Sequence, residues 1–122
     1  YKFSSPQRGD MIVFRTSASD GAALHIRRVI GLPGETVQIS GGRILIDGEA
    51  YNEGKDFPMI TNPGLAASAV TLESGEYFVL GDNRNNSEDS RYADIGMVRK
   101  RYIVGKIWFT CSPFEKLGLT KG

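Results

Sequence analysis

Short apolar segments separated by glycine-containing turns run along most of the chain, and they limit its fold more than any other feature. No long segment has the period of an amphipathic helix, and only one or two helical turns around residues 93–101 fit the sequence. Gly105, within an apolar segment near the end, indicates a β-bulge or a close approach of another backbone. Four segments have the length and the side chains of buried β-strands: residues 11–14, 24–30, 77–80 and 103–109.

A projecting β-ribbon is predicted over residues 35–51. Its first part alternates between polar and apolar side chains, and Gly41-Gly42 then supplies a two-residue hairpin turn into residues 43–46. Residues 52–69 contain prolines and glycines without a clear period, so they are predicted to form a loop. Together these patterns predict a mainly β fold that is mostly antiparallel and partly barrel-like.

Length, charge and cysteine content exclude several classes of protein. The chain has 122 residues, of which 40% are hydrophobic, so one domain with a buried core is expected. Its 15 Lys and Arg residues nearly balance 14 Asp and Glu residues, which gives no electrostatic argument for a nucleic acid partner. The single cysteine, Cys111, excludes an internal disulfide, and its apolar neighbours favour a buried structural thiol.

The stretch GDNRNNSEDSRYADIG, residues 81–96, concentrates charged and polar side chains directly after a predicted buried strand; we call it the acid-rich segment. A calcium loop of the EF-hand type requires oxygen ligands at its first, third and fifth positions and glycine at its sixth. Counted from Asp82, the third position is Arg84 and the sixth is Ser87. A cation beside an arginine is unfavourable, so this kind of site is rejected.

Two interpretations of the acid-rich segment then remain. Asp89 and Arg91 are two residues apart, so in an extended segment they share a face, and Ser87 lies on that face too. A hydroxyl, a carboxylate and a guanidinium on one line are able to orient a neighbouring catalytic group. The alternative is a solvated surface loop.

Two adjacent arginines, Arg27 and Arg28, occupy the predicted strand of residues 24–30. Adjacent strand residues point to opposite faces of a sheet, so at least one guanidinium is expected to be buried or half-buried. A buried guanidinium requires a carboxylate partner, and the acid-rich segment is a plausible source of it. The alternative is a pair of arginines on a sheet edge.

His25 is the only histidine of the chain. No Cys or His cluster accompanies it, so neither a metal site nor a cofactor is predicted. A Ser-His-Asp triad is conceivable on composition, but no nucleophile-elbow sequence supports it. A half-exposed strand histidine is the interpretation favoured by the residues.

Three motifs of this chain resemble, in the same order, motif boxes of bacterial type I signal peptidases. They are residues 8–14 (RGDMIVF), 26–34 (IRRVIGLPG) and 81–91 (GDNRNNSEDSR), and residues 104–107 (VGKI) and 112–114 (SPF) also look like that family. Related self-cleaving repressor peptidases share a Ser-Lys fold, but the ribbon and the last box fit signal peptidases better.

The resemblance implies a membrane-anchored serine endopeptidase with a Ser-Lys dyad and without a cofactor. Such an enzyme removes signal peptides from exported preproteins on the extracytoplasmic side of the cell membrane. Its serine attacks the scissile carbonyl, and a neutral lysine takes the proton and returns it to the leaving amine. The preprotein is held as an added β-strand, with small side chains at the first and third positions before the cut.

The resemblance also implies roles for individual residues. Ser87 matches the serine that orients the lysine. Asp89 and Arg91 match a supporting ion pair, and Arg28 matches the arginine that joins it. Ile26 matches a strand residue that lines the substrate groove. Residues 1–122 are therefore expected to form a single extracytoplasmic domain, without the nucleophile box and the membrane anchor that the family carries further upstream.

Arg27 stands at the position where the family has the general-base lysine. Lowering the pKa of a lysine from about 10.4 to about 8 costs roughly 3 kcal/mol, which burial can supply. The ordinary pKa of an arginine lies several units above that of a lysine, so the same change would cost an arginine roughly 8 kcal/mol. Arg27 is therefore expected to stay charged and to be unable to accept the proton of a serine. His25, two residues back on the same face of an ideal strand, is the alternative base.

Two functional hypotheses follow. In the first, the chain is the catalytic domain of a signal peptidase I, inactive as it stands because of Arg27 and the missing nucleophile box. In the second, it is a non-catalytic signal-peptidase-like chaperone or assembly factor, for example for pilins. Arg27 favours the second hypothesis, and the retained Ser87, Asp89 and Arg91 favour the first.

Overall fold

The computed structural model describes residues 5–16, 23–53, 57–107 and 120–121. No helix within these ranges is long and apolar enough to cross a membrane. Two short 3-10 helices, Gly64–Ala67 and Lys100–Tyr102, are present in the described part. Its ten strands are β1 (Met11–Arg15), β2 (Leu24–Gly31), β3 (Thr36–Ser40), β4 (Arg43–Ile46), β5 (Glu49–Ala50), β6 (Val70–Thr71), β7 (Glu76–Leu80), β8 (Val98–Arg99), β9 (Ile103–Ile107) and β10 (Thr120–Lys121).

The strands form two sheets, which confirms a mainly β and mostly antiparallel fold. The larger sheet has the order β8-β7-β2-β1-β9, and β10 is added to β2 in parallel. The smaller sheet has the order β5-β4-β3-β6. Neither sheet closes into a barrel within the residues that the structure describes.

The smaller sheet contains the predicted ribbon. β3 and β4 pair from Val37 opposite Ile46 to Ser40 opposite Arg43, which leaves a two-residue turn between the strands. Both turn residues have positive φ, 62° at Gly41 and 81° at the next glycine, as the mirror-image hairpin turns require. The two glycines are therefore the local cause of this hairpin.

β7 in the larger sheet is apolar on both faces because both of its faces are covered. On β7, Phe78 and Leu80 pack into one hydrophobic cluster with β3, while Tyr77 and Val79 pack into a second cluster with β1. A strand buried on both sides has a continuous apolar run rather than an alternating one. This arrangement explains the uninterrupted run of residues 77–80.

The predictions for Gly105 and for the helical turns at residues 93–101 are each confirmed in part. The register between β1 and β9 shifts between Val13 opposite Gly105 and Phe14 opposite Ile103, so a β-bulge is present as predicted. Among the described residues no atom lies within 4 Å of a Cβ built on Gly105, so a close approach is not observed there. The predicted helical turns after residue 93 are confirmed only for the 3-10 helix that follows β8.

Other predictions lie partly or wholly outside the described residues. The strand predicted over 103–109 is observed to Ile107. Residues 108–109, Cys111 and the motif at 112–114 lie outside the described ranges.

Gly64 allows the loop after β5 to lie directly on the acid-rich segment. It has a φ of +56°, and a Cβ built on it would collide with the carbonyl oxygen of Arg91 and lie 2.8 Å from the Cβ of that residue. The next residue, Leu65, donates its N–H to the Arg91 carbonyl at 2.7 Å. This position therefore requires glycine both for its dihedral angle and for the available space.

Gly64→Ala is expected to lower the free energy of unfolding by more than Gly41→Ala. Both glycines have a φ near +60°, but in the part of the chain that the structure describes no atom lies within 4 Å of a Cβ on Gly41. The dihedral penalty of about 1–2 kcal/mol is common to both variants. The collision adds roughly 1–3 kcal/mol at Gly64 alone. Urea unfolding of the two variants checks this, and equal losses would contradict it.

Candidate active site

The acid-rich segment is folded back against β7 by its own polar groups. The hydroxyl of Ser90 accepts the N–H of Val79 at 2.9 Å, and the N–H of Ser90 donates to the Val79 carbonyl at 3.1 Å. A turn follows at once, because the N–H of Tyr92 donates to the Asp89 carbonyl at 2.9 Å. The segment is therefore a series of turns rather than the extended strand on which the shared-face argument depended.

Asp89 and Arg91 form a fully buried ion pair at the centre of this segment. Arg91 donates from Nε to Oδ1 and from Nη2 to Oδ2, both at 2.8 Å, and the side chains are 1% and 0% exposed for Arg91 and Asp89. The carboxylate also accepts the backbone N–H groups of Arg91 and Gly81. The predicted pair is present, and the desolvation of both charges is offset by a complete set of hydrogen bonds.

Arg28 connects β2 to the acid-rich segment through a different carboxylate. It donates from Nε and Nη2 to the two carboxylate oxygens of Asp82, both at 2.8 Å, and from Nη1 to the Gly9 carbonyl at 2.9 Å. The hydrogen bond to Asp82 raises the pKa of Arg28, against the effect of burial. The acid-rich segment supplies the carboxylate as predicted, but it is Asp82 and not the Asp89–Arg91 pair.

Arg27 is buried without such a partner. Its residue is 3% exposed, and it donates from Nε to the Glu88 carbonyl and from Nη1 to the Ile26 carbonyl, both at 2.7 Å. Among the described residues no carboxylate oxygen lies within ion-pair distance of it. Burial lowers the pKa of Arg27, and the charges of Asp89 and Glu88 oppose that effect. This guanidinium is thus a buried cation held by carbonyl groups.

Two buried polar side-chain atoms have no hydrogen-bond partner in the described part of the chain. They are Oγ of Ser87 and Nδ1 of His25. Ser87 precedes Glu88, whose carbonyl binds Arg27. Buried polar groups are rarely left without a partner, so each of these atoms requires an explanation, such as a catalytic or ligand-binding role.

His25 is held on β2 by its cross-strand neighbour. Its ring centroid lies 5.7 Å from that of Phe14, which is its partner on β1. Burial lowers the pKa of His25, the charge of Arg27 lowers it further, and Glu88 acts in the opposite direction. The neutral imidazole is therefore favoured at neutral pH. Its role as an alternative base stays a prediction.

Ile26 lies between His25 and Arg27 in the sequence of β2 and is completely buried. It is in register with Val13 on β1 and with Lys121 on β10. Its role in a substrate groove stays a prediction.

A further buried ion pair, between Arg84 and Glu53, was not predicted from the sequence. Arg84, 1% exposed, donates from Nη1 and Nη2 to the carboxylate of Glu53 at 2.6 and 2.8 Å, and from Nε to the Gly81 carbonyl. The ring of Phe57 covers the guanidinium at 3.9 Å from its central carbon. The only signal in the sequence was an arginine among acids after an apolar strand, and that pattern does not identify a partner in a distant loop.

Asn85 fixes the same loop to the acid-rich segment. Its Oδ1 accepts the N–H and the hydroxyl of Thr61 at 2.9 and 3.1 Å, and its Nδ2 donates to the Met59 carbonyl at 3.1 Å. The loop around the candidate site is therefore positioned by side chains of the segment itself.

A serine and a lysine do meet elsewhere in the described structure. Lys100, directly after β8, donates from Nζ to Oγ of Ser5 at 2.9 Å. Both residues are exposed, so the contact lacks the burial that an uncharged base requires. The candidate site is instead the region of Arg27, Ser87 and the Asp89–Arg91 pair.

Comparisons with known proteins find similarity to one family over most of the chain. The family model described as "Signal peptidase, peptidase S26" matches residues 1–111. The signal peptidase I of Leptolyngbya laminosa is 39% identical over 97% of this chain, and a probable signal peptidase I-2 of a Synechocystis strain is 34% identical over 98% of it. The chain spans 59% and 54% of the lengths of these relatives.

A solved structure has a similar fold. The crystal structure of a signal peptidase I from Enterococcus faecalis V583 matches with a TM-score of 0.64 and 29% sequence identity. The match covers 88% of this chain and 100% of the other chain. The similarity therefore extends over most of the chain and is not limited to the acid-rich segment.

Asp89→Asn is expected to lower the free energy of unfolding by about 3–5 kcal/mol, because it leaves the charge of Arg91 buried without compensation. Asp94→Asn is the matched control, since Asp94 belongs to the same segment and is exposed. That control is expected to change stability by no more than about 0.5 kcal/mol. Chemical denaturation measures both, and similar losses for the two variants would show that the Asp89–Arg91 pair does not stabilise the fold.

The stability of the chain is expected to fall between pH 8 and pH 5 through His25. Its pKa is lowered in the folded state, so the unfolded chain binds the proton first as the pH falls below about 6.5. This contribution is complete above that pH and is lost as the pH falls toward the folded pKa.

The measurement compares urea unfolding of the natural chain and His25→Gln at several pH values. The variant should lose less stability over this range. Glu35, whose pKa is lowered chiefly by its hydrogen bond from Arg8, acts only at more acidic pH and does not interfere. Parallel curves for the two proteins would exclude His25 as the cause.

Proposed function

The chain belongs to the peptidase S26 family of signal peptidases, and from this membership we propose that it is a signal peptidase I-type serine endopeptidase domain. Its substrates in this proposal are preproteins, from which the family removes N-terminal signal peptides. The proposal includes attachment of the whole protein to the cell membrane, with this domain on the extracytoplasmic side. We further propose that the natural chain, with arginine at position 27, does not cleave.

The observation that carries the proposal is the contact between β2 and the acid-rich segment at the base position. The side chain at position 27 is buried there and reaches the Glu88 carbonyl at 2.7 Å, directly after Ser87. The hydroxyl of Ser87 is buried and without a partner in the described structure. A base at position 27 and an orienting hydroxyl at position 87 are the pair that the family mechanism requires.

The surrounding residues support the position of this pair. Asp89 and Arg91 hold the acid-rich segment in its turn, and Arg28 holds β2 against Asp82. Neither ion pair touches a substrate in this mechanism. Their contribution is to keep position 27 and Ser87 in a fixed relation, which is how supporting residues act at preorganised sites.

The chemistry assigned to position 27 is proton transfer. A base takes the proton of the nucleophilic serine and returns it to the leaving amine. Burial lowers the pKa of a lysine enough to supply a neutral amine at this position. An arginine in the same place remains a cation, because its ordinary pKa lies several units higher. The nucleophile itself is not identified among the described residues and stays a prediction.

The proposed substrate binds as an added β-strand. The region of β2 around His25 and Ile26 accepts an extended strand, since β10 pairs with it in parallel. Backbone hydrogen bonds at a strand edge bind peptides of many sequences, which suits an enzyme with many preprotein substrates.

The test uses the full natural gene product and its Arg27→Lys variant, incubated with a preprotein that has small residues at the first and third positions before the cut. Cleavage is followed by mass spectrometry. The lysine variant is expected to exceed the natural protein by about 10²–10⁴-fold, the usual contribution of a positioned base. Arg27→Met, which is of similar length and uncharged, is the control and should stay inactive.

The other outcomes are equally informative. Cleavage by the natural protein would contradict the assignment of Arg27 as an inactive base, and His25→Gln would then show whether histidine replaces it. Absence of cleavage in both proteins would contradict the peptidase proposal for this chain.

A further inference from the structure

The edge of β2 that faces away from β1 pairs with β10, and the two strands are parallel. β1 pairs with β2 from Arg15 opposite Leu24 to Met11 opposite Arg28, and it occupies one edge of these residues. β7 pairs with the other edge only from Arg28 onward. β10 takes the part that β7 leaves, with Thr120 opposite His25 and Lys121 opposite Ile26.

The parallel direction of β10 determines where a strand bound on this edge leads. Each further residue of such a strand advances by about 3.3 Å along β2. The residue that follows the one opposite Ile26 therefore comes level with Arg27. A peptide in the same register directs its C-terminal end toward that side chain.

The guanidinium of Arg27 lies beside the backbone of β2 at this point. Its Nη1 donates to the Ile26 carbonyl at 2.7 Å, so the side chain folds back on its own strand instead of extending away from it. Its Nε is held by the Glu88 carbonyl at 2.7 Å. The charge is thus placed near the end of the edge that β10 occupies.

This charge differs from the other buried and half-buried guanidinium groups on β2 and the acid-rich segment. Arg28, Arg84 and Arg91 each bind one carboxylate through two donors. Arg27 is 3% exposed and has no carboxylate within ion-pair distance among the described residues. A carboxylate that pairs with a buried cation removes the cost of leaving that charge uncompensated. The buried hydroxyl of Ser87, the residue before Glu88, has no partner among the described residues and is a further possible donor to such a carboxylate.

We propose that this end of β2 binds peptides that carry a free C-terminal carboxylate. The peptide pairs in parallel with β2 at His25 and Ile26, and its terminal carboxylate binds the guanidinium of Arg27 and the hydroxyl of Ser87. The inference rests on the proposed function only in that both use this edge for a peptide. Its ligand resembles a released peptide product and not an uncleaved chain, because an internal peptide bond has no negative charge for Arg27.

The probe is the synthetic peptide LGLTKG, the sequence of residues 117–122, with either a free C-terminal carboxylate or a C-terminal amide. In the register of β10 its last residue comes level with Arg27. Binding to the natural chain is measured by fluorescence anisotropy with a dye on the peptide N-terminus. The free acid is expected to bind at least tenfold more tightly than the amide, and more weakly as the salt concentration rises.

Because β10 competes for the same edge, a Thr120→Pro/Lys121→Pro variant is measured in parallel. Proline lacks the backbone N–H of a strand ladder, so this variant is expected to release the edge and to bind the acid more tightly than the natural chain does. Equal binding of acid and amide by both proteins, or no binding by either, would overturn the proposal.

Variants at the charged end separate a binding role from a structural one. Arg27→Met is expected to lower the affinity for the acid to that for the amide. Arg27→Lys is expected to do the same at a pH at which the buried lysine is neutral. Arg99→Met, an exposed arginine on β8, is the control and should bind as the natural chain does. A preference that survives in Arg27→Met would overturn the proposal. If that variant does not fold, the acid and amide affinities of the natural chain decide alone.

This test fails independently of the cleavage test. Cleavage by the Arg27→Lys protein, together with equal binding of the acid and the amide by the natural chain, would leave the peptidase proposal intact and overturn this one. An acid preference without cleavage would do the reverse.

Discussion

Four hydrogen bonds converge on the carboxylate of Asp89, and the geometry of the candidate site depends on them. Two come from the Arg91 side chain and two from the backbone N–H groups of Arg91 and Gly81. One charged group thereby joins the end of β7 to the turn that follows it. The carbonyl that binds Arg27 belongs to Glu88, the residue before Asp89, so a change at Asp89 would also displace the contact between β2 and the acid-rich segment. Stability and site geometry therefore share a single interaction.

The sequence predicted those parts of the fold that local rules determine. The Gly41-Gly42 hairpin and the strands at 11–14, 24–30 and 77–80 follow from dihedral preference and from apolar runs, and each observed strand is one residue longer than predicted. The Asp89–Arg91 pair was also predicted, but on the assumption of an extended backbone. In the structure the two residues meet in a turn. Spacing of two residues brings side chains together in more than one backbone conformation, so a correct contact does not establish the local structure.

The Arg84–Glu53 pair shows what local rules do not predict. Its partners are 31 residues apart, and the loop after β5, which carries Glu53, also contacts the acid-rich segment at Asn85 and through Gly64. Arg28 was expected to join the Asp89–Arg91 pair but binds Asp82, and local rules do not predict this choice of partner either. The sequence indicated that a buried guanidinium needs a carboxylate from this segment, but four carboxylates were available there. The pairing register of β2 and β7 brings Arg28 level with Leu80 and hence to Asp82.

The position of Arg27 connects the two proposals, because the same burial has opposite consequences for two cationic side chains. In a buried setting a lysine loses its proton within reach of neutral pH and becomes a base. An arginine keeps its charge, and the unmet demand for a counter-charge becomes a preference for an anion. Position 27 is surrounded by carbonyl groups rather than carboxylates, which suits a side chain that must become neutral and leaves a permanent cation unpaired. In the two proposals taken together, a single arginine at the position of the family's lysine removes the base and, in the same place, provides a cation that binds the terminal carboxylate of a peptide on β2.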